Sequence, residues 1–143
     1  MTPAQIDRVR KSFAQIVLNL DQVSDAFCGH LTRLDSGRSV VFGGDPILQR
    51  IKVGAALAGL VASIGQLDRI RAPLADLGRE RAGQGVDVDH YVMVGEALVE
   101  ALQEVLGGEF DGTTRRAWLL AYGQVVRAMT GDTQEDWVEA KAA

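Results

Sequence analysis

Apolar residues along this chain recur three and four positions apart, the spacing that places them on one face of an α-helix. Ile6, Val9, Phe13, Ile16, Val17 and Leu20 form the first such run. Thr2-Pro3-Ala4-Gln5 ahead of it predicts a helix start, with Thr2 as cap, Pro3 in the first turn where no N–H is needed, and Gln5 at the reciprocal capping-box position. A second run, Val23, Phe27, Leu31 and Leu34, is capped by Asp21 and stopped by Asp35-Ser36-Gly37. Val40-Val41-Phe42 before Gly43-Gly44-Asp45-Pro46 reads as a corner between helices, because no second run offers itself as a partner strand.

Pro46 opens a long third helix carrying Ile47, Leu48, Ile51, Val53, Ala55, Leu57, Leu60, Val61 and Ile64. Its middle holds Gly54, Ala55, Ala56, Ala58 and Gly59, although each glycine costs roughly 1 kcal/mol against alanine in a helix. Small residues kept there predict a close approach by another backbone. Asp68 to Arg81 reads as a shorter helix with Ile70, Leu74 and Leu77 along one side. After the break Ala-Gly-Gln-Gly at 82–85, Asp87 or Asp89 can cap a helix from Val88 to Leu106 bearing Tyr91, Val94, Leu98, Leu102 and Val105. Gly107-Gly108 stops it. A last helix restarts at Asp111 to Thr114 and carries Ala117, Trp118, Leu120, Ala121, Val125, Val126 and Met129. The expectation is one all-α domain over 1–143, with a core over about 2–129 and an acidic tail at 131–143 anchored only by Trp137 and Val138.

Composition narrows the function. The 143 residues are 47% apolar and 24% charged, ordinary for a globular chain and not for a disordered one. A formal net charge of -4 reads against nucleic-acid binding, which needs a basic face. One cysteine excludes an internal disulfide, and two histidines make a His-based metal centre hard to build. The longest weakly charged stretch, Val53 to Leu67, is too short and glycine-broken to span a bilayer. Asp7, Arg8, Arg10 and Lys11 stand where a signal peptide needs apolar residues, so a soluble cytoplasmic protein is expected.

Motifs with built-in chemistry are absent: no phosphate-binding loop, dinucleotide fingerprint, His-Glu-x-x-His or nucleophile elbow. Gly83-Gln84-Gly85 follows a helix and reads as a turn. Cys28, between Phe27 and Leu31, reads as a small buried hydrophobe with no Lys or Arg evidently placed to activate it. Tyr91 and Tyr122 read as core aromatics with hydrogen-bonded hydroxyls. The stretch from Gly54 to Gly59 leaves either internal helix contacts or a homodimer open.

The order of several segments nevertheless resembles the bacterial single-domain globins and the globin domain of flavohaemoglobins, over about Thr2 to Met129. The resemblance rests on the opening Thr2-Pro3-Ala4-Gln5-Ile6, the Val41-Phe42-Gly43-Gly44 corner and Gln49. Its specific part is His90-Tyr91-x-x-Val94-Gly95-Glu96-Ala97-Leu98 and Ala117-Trp118-x-x-Ala121-Tyr122-Gly123. It implies a three-over-three helical sandwich holding haem b between the helix from Pro46 and the helix from Asp68. The residues it assigns to the cofactor pocket are Phe42 at the haem edge, Gln49 as the distal polar group, Val53, Arg81, Tyr91 beside the proximal ligand, and Cys28. Three positions depart from the family. Arg81 stands where the proximal histidine is expected, Cys28 where a distal tyrosine is usual, and Thr133 nearest the place of a proximal-network glutamate.

A guanidinium has no free lone pair for iron, so Arg81 cannot replace imidazole; it can point outward or pair with a haem propionate. His90 matches a second family histidine that accompanies the proximal one, and so does not read as the ligand. His30, near Cys28, reads as a surface or hydrogen-bonded histidine. Three functions follow in order: a haem-free or atypical sensing and binding module, a haem globin that binds oxygen or nitric oxide through an unusual axial ligand, and an enzyme fed by an external electron donor.

Overall fold

Each run of spaced apolar residues folds as a helix in the computed structural model, which describes residues 1–35 and 45–131. Among these residues there are six α-helices and two 3₁₀ turns, and no strand. The helices are α1 (Pro3–Ile16), α2 (Leu20–Asp35), α3 (Pro46–Ser63), α4 (Leu67–Gly83), α5 (Val88–Leu106) and α6 (Gly112–Thr130). The corner at Val40 to Phe42, the tail residues Trp137 and Val138, and Thr133 lie outside the described residues.

Local chemistry sets most helix starts. Thr2 accepts from the Gln5 N–H at 3.1 Å while Gln5 Oε1 accepts from the Thr2 N–H at 2.8 Å, the reciprocal box its sequence predicts. Asp45 caps α3, Asp87 rather than Asp89 caps α5, and Asp111 caps α6. Asp21 does not cap. The chain passes from α1 through a 3₁₀ turn at Val17–Asn19 directly into α2, so Asp21 sits inside its first turn. That tighter turn rotates the following side chains off the α1 stripe. Val17, expected on the buried face, is therefore exposed, and Leu18 is 93% exposed. Leu34 also points outward at the end of α2.

The helices pack as α1, α3 and α4 over α2, α5 and α6, with α2 lying along α5, α4 crossing α6, and α1 crossing α6. This is the all-α sandwich that the resemblance implied. Val9, Ile16, Val23, Leu102, Trp118, Leu119 and Val126 are essentially sealed from solvent at its centre. Each such burial contributes roughly 1.5–3 kcal/mol. The Trp118 indole N–H is satisfied there by Ser12 Oγ at 2.8 Å, which ties α6 to α1.

Within the chain, the small residues of α3 meet no close backbone among the described residues. Gly59 has no neighbour within 4 Å of a Cβ built on it, and Gly54 meets only the Leu20 Cδ1 at 4.0 Å. Ala55, Ala56, Ala58 and Gly59 are exposed. The close backbone approach lies elsewhere, on α4. A Cβ at Gly78 would fall 1.8 Å from the Met129 carbonyl oxygen, so only glycine lets α4 cross α6 at this distance. That crossing holds α4 against α6, while α3 and α4 meet little beyond the turn joining them among the described residues.

Candidate functional site

The cofactor position implied by the resemblance lies between α3 and α4, with α2 and α5 behind it. On α3, Val53 is buried in the continuous core, and Gln49, one turn earlier, is half-buried. Leu57 continues the Val53 face inward. Arg50, on another face of α3, pairs with Asp25 of α2 through Nε at 2.6 Å and a second bond at 3.1 Å, and its carbonyl accepts from Ser24 Oγ at 3.3 Å. These bonds fix α3 against α2.

On α4, Ile70, Leu74 and Leu77 are half-buried and lie outside the continuous core cluster among the described residues. Arg81, at the end of this helix, is exposed and donates to Gln84 Oε1 at 3.3 Å. The sequence of α4 contains no His, Cys, Met or Tyr.

The α2 and α5 residues fill the rear of this region. Cys28 is half-buried against the core, with Phe27 and Leu31 buried beside it in sequence. Burial, then the charge of Asp25, push its thiol up, against a smaller opposing pull from Arg50. A cation does stand near, contrary to the sequence reading, yet Asp25 occupies it, and the thiol is not activated. Tyr91 on α5 is half-buried; desolvation raises its phenol, and the positive charge of Arg81 offsets part of that. No hydrogen bond to the Tyr91 hydroxyl is found among the described residues. Tyr122 behaves as the sequence reading expects. Its hydroxyl donates to the Tyr91 carbonyl at 2.6 Å, and burial pushes it far up. Phe42 lies outside the described residues.

The two histidines differ. His30 is satisfied on the seam between α2 and α5, with Nδ1 3.0 Å from Glu100 and Nε2 3.1 Å from Glu104. His90 is 4% exposed, and it is the residue whose role sequence reasoning missed. Its Nδ1 lies 2.8 Å from the Asp87 carboxylate, whose Oδ1 also accepts the His90 backbone N–H at 3.2 Å. The Asp87 backbone N–H approaches the same Nδ1 at 3.1 Å. Together these contacts close a capping box between Asp87 and His90 at the start of α5. Nε2 is buried and has no hydrogen-bond partner among the described residues. The Asp-x-x-His spacing before an apolar run was the available signal, since it places the two side chains at the cap and third positions of a helix. No group of three or more His, Cys, Asp or Glu side chains suited to a metal ion converges among the described residues. No helix among them is long and apolar enough to cross a membrane.

Comparison with known proteins places this architecture. The Globin family model matches residues 46–129, from the start of α3 to the end of α6. Neuroglobin of Danio rerio is 35% identical over 79 residues, covering 55% of this chain and 50% of that protein. Neuroglobin of Dissostichus mawsoni is 34% identical over a stretch of the same coverage. The flavohemoprotein of Bacillus subtilis (strain 168) is 29% identical over 93 residues, covering 65% of this chain and 23% of the relative. The match thus spans half the length of the neuroglobins and under a quarter of the flavohemoprotein.

Proposed function

Since this chain belongs to the globin family, we propose that it is a globin-fold binding or sensing module whose cleft lacks the family's usual axial ligand, and that it works without haem or holds haem atypically. The observation that carries this reading is Arg81. It occupies the position where the family resemblance expects the proximal histidine, it is exposed, and its guanidinium is engaged by Gln84.

Haem iron takes its axial bond from imidazole, thiolate, thioether or phenolate. The helix expected to supply that bond, α4, has none of these side chains. The residues present therefore do not fit ordinary proximal ligation. On this reading the faces of α3 and α4 that carry Val53, Leu74 and Leu77 would bound the ligand, with the half-buried Tyr91 hydroxyl as a polar group. That combination suits a small, mostly apolar ligand oriented by one or two hydrogen bonds.

The test is spectroscopic. Protein purified from haem-supplemented cells should lack a stoichiometric Soret band and stoichiometric iron. Arg81→His should increase haem retention several-fold by restoring the missing donor. A stable one-to-one haem complex of the unaltered chain with defined axial ligation would overturn the proposal.

His90 favours a second reading, a haem globin that binds oxygen or nitric oxide through an unusual ligand. A buried imidazole whose Nδ1 is held by a carboxylate and whose Nε2 has no partner among the described residues is oriented as a metal-ligating histidine is. On this reading His90→Ala abolishes the axial signature in the visible spectrum, and Arg81→Ala leaves it intact.

A further inference from the structure

A second cleft, on another part of the molecule, has a different chemistry. It opens where α1, the turn between α3 and α4, and the last turns of α6 converge, and it encloses about 930 Å³. Four arginines line it: Arg10 from α1, Arg69 and Arg71 from α4, and Arg127 from α6. Asp68 is the single carboxylate among the lining residues, and it already holds Arg71 at 3.3 Å. Neither Arg10 nor Arg69 has an acidic partner among the described residues. The chain as a whole carries a net charge of -4, so this concentration of guanidinium groups runs against its average.

The backbone adds to the same field. Gly65 lies in the turn, and a Cβ there would fall 2.8 Å from Arg10 Nη2, so the missing side chain gives the guanidinium room to lie across it. Gln66 precedes α4 without capping it; its side-chain amide donates instead to the Ala62 carbonyl at 3.1 Å. The positive end of a 17-residue helix, uncapped by any side chain, thereby lines the cleft beside the arginines. Ile6 and Leu67 supply an apolar floor.

We propose that this cleft binds a small molecule carrying two or more phosphate groups. Guanidinium groups recognise phosphate oxygens in paired, charge-assisted hydrogen bonds, and Arg10 and Arg69 offer two such forks while Arg71 and Arg127 add positive charge to the same cleft. The volume is that of a site for a ligand of nucleotide size rather than for a lone ion. The shared chemistry is the phosphate chain, which either an inorganic polyphosphate or a nucleoside triphosphate provides.

Isothermal titration of the full chain with inorganic triphosphate and with ATP, at low and at 0.5 M salt, tests it. Saturable one-to-one binding of at least one probe, weakened by salt, is expected. Equal affinity for the two assigns recognition to the phosphates alone, and tighter ATP binding adds the apolar floor. Arg10→Gln and Arg69→Gln should each weaken binding by roughly 10- to 100-fold. Arg116→Gln, the same charge change on α6 at a residue that does not line the cleft, should leave it unchanged. Circular dichroism checks that each variant folds. No saturable binding of either probe at 2 mM, or equal loss in the Arg116→Gln control, would overturn the proposal.

Discussion

At the scale of single residues, two glycines of this chain do opposite things, and composition gives no hint of which is which. Gly78 sits under the Met129 carbonyl, where any side chain collides with backbone that cannot yield. Gly59 sits in a helix with open space around its Cα. Gly78→Ala should therefore destabilise the fold by about 3 kcal/mol or more, the upper range for overpacking. Gly59→Ala should stabilise it by about 0.5–1 kcal/mol, by lowering the entropy of the unfolded chain. Urea unfolding of the two variants reads both signs in one experiment. The same scale decides the candidate site. Arg81 matters because a guanidinium cannot do what an imidazole does, and Tyr91 matters because its half-buried hydroxyl has no bond among the described residues to keep it from a ligand.

At the scale of helices, the acidic caps carry the pH dependence. Asp87 and Asp111 each accept backbone N–H groups at a helix start, and those bonds, the largest influence on either residue, hold their carboxyls below the ordinary aspartate value of 3.8. A carboxyl more acidic in the folded chain than in the unfolded one stabilises the fold fully above the unfolded value. That contribution is lost as pH falls through the lower folded value. The melting temperature should accordingly drop on acidification below about pH 4. Asp87→Asn with Asp111→Asn keeps competent caps while removing the titration, so this double variant should show a flatter acid arm in thermal melts from pH 6 to pH 2. The capping logic was legible in the sequence, down to the Thr2 and Gln5 pair. The continuous passage from α1 to α2 was not, because the 3₁₀ turn at Val17–Asn19 reflects packing of both helices and no local breaker residue marks it.

At the scale of the whole molecule, the core and the apolar stripe of α4 are separable. The sealed core runs through α1, α2, α5 and α6 with one face of α3, and the apolar stripe of α4 stands outside it. Leu102→Ala, which empties a fully buried site, should cost about 2–5 kcal/mol. Leu74→Ala, on the half-covered stripe, should cost about 1 kcal/mol or less while changing ligand binding in the cleft. Chemical denaturation of the two variants compares the costs directly. If Leu74→Ala proves as costly as Leu102→Ala, α4 is part of the core and the cleft is filled by protein. On the expected result, the chain folds around α5 and α6 whether or not the cleft is occupied.

The sequence by itself determined the helices, the Thr2 and Gln5 capping box and the identity of the residue at position 81. Helical periodicity and cap chemistry are local, and a guanidinium is a poor iron donor in any surroundings. Tertiary structure alone decided which apolar faces are buried, which glycine marks a backbone crossing, that Arg81 turns outward, and that His90 keeps a buried nitrogen unpaired. It also gathered four arginines, scattered between positions 10 and 127, around one cleft. Those outcomes depend on distances between elements far apart in the chain, and periodicity along one element carries no information about them.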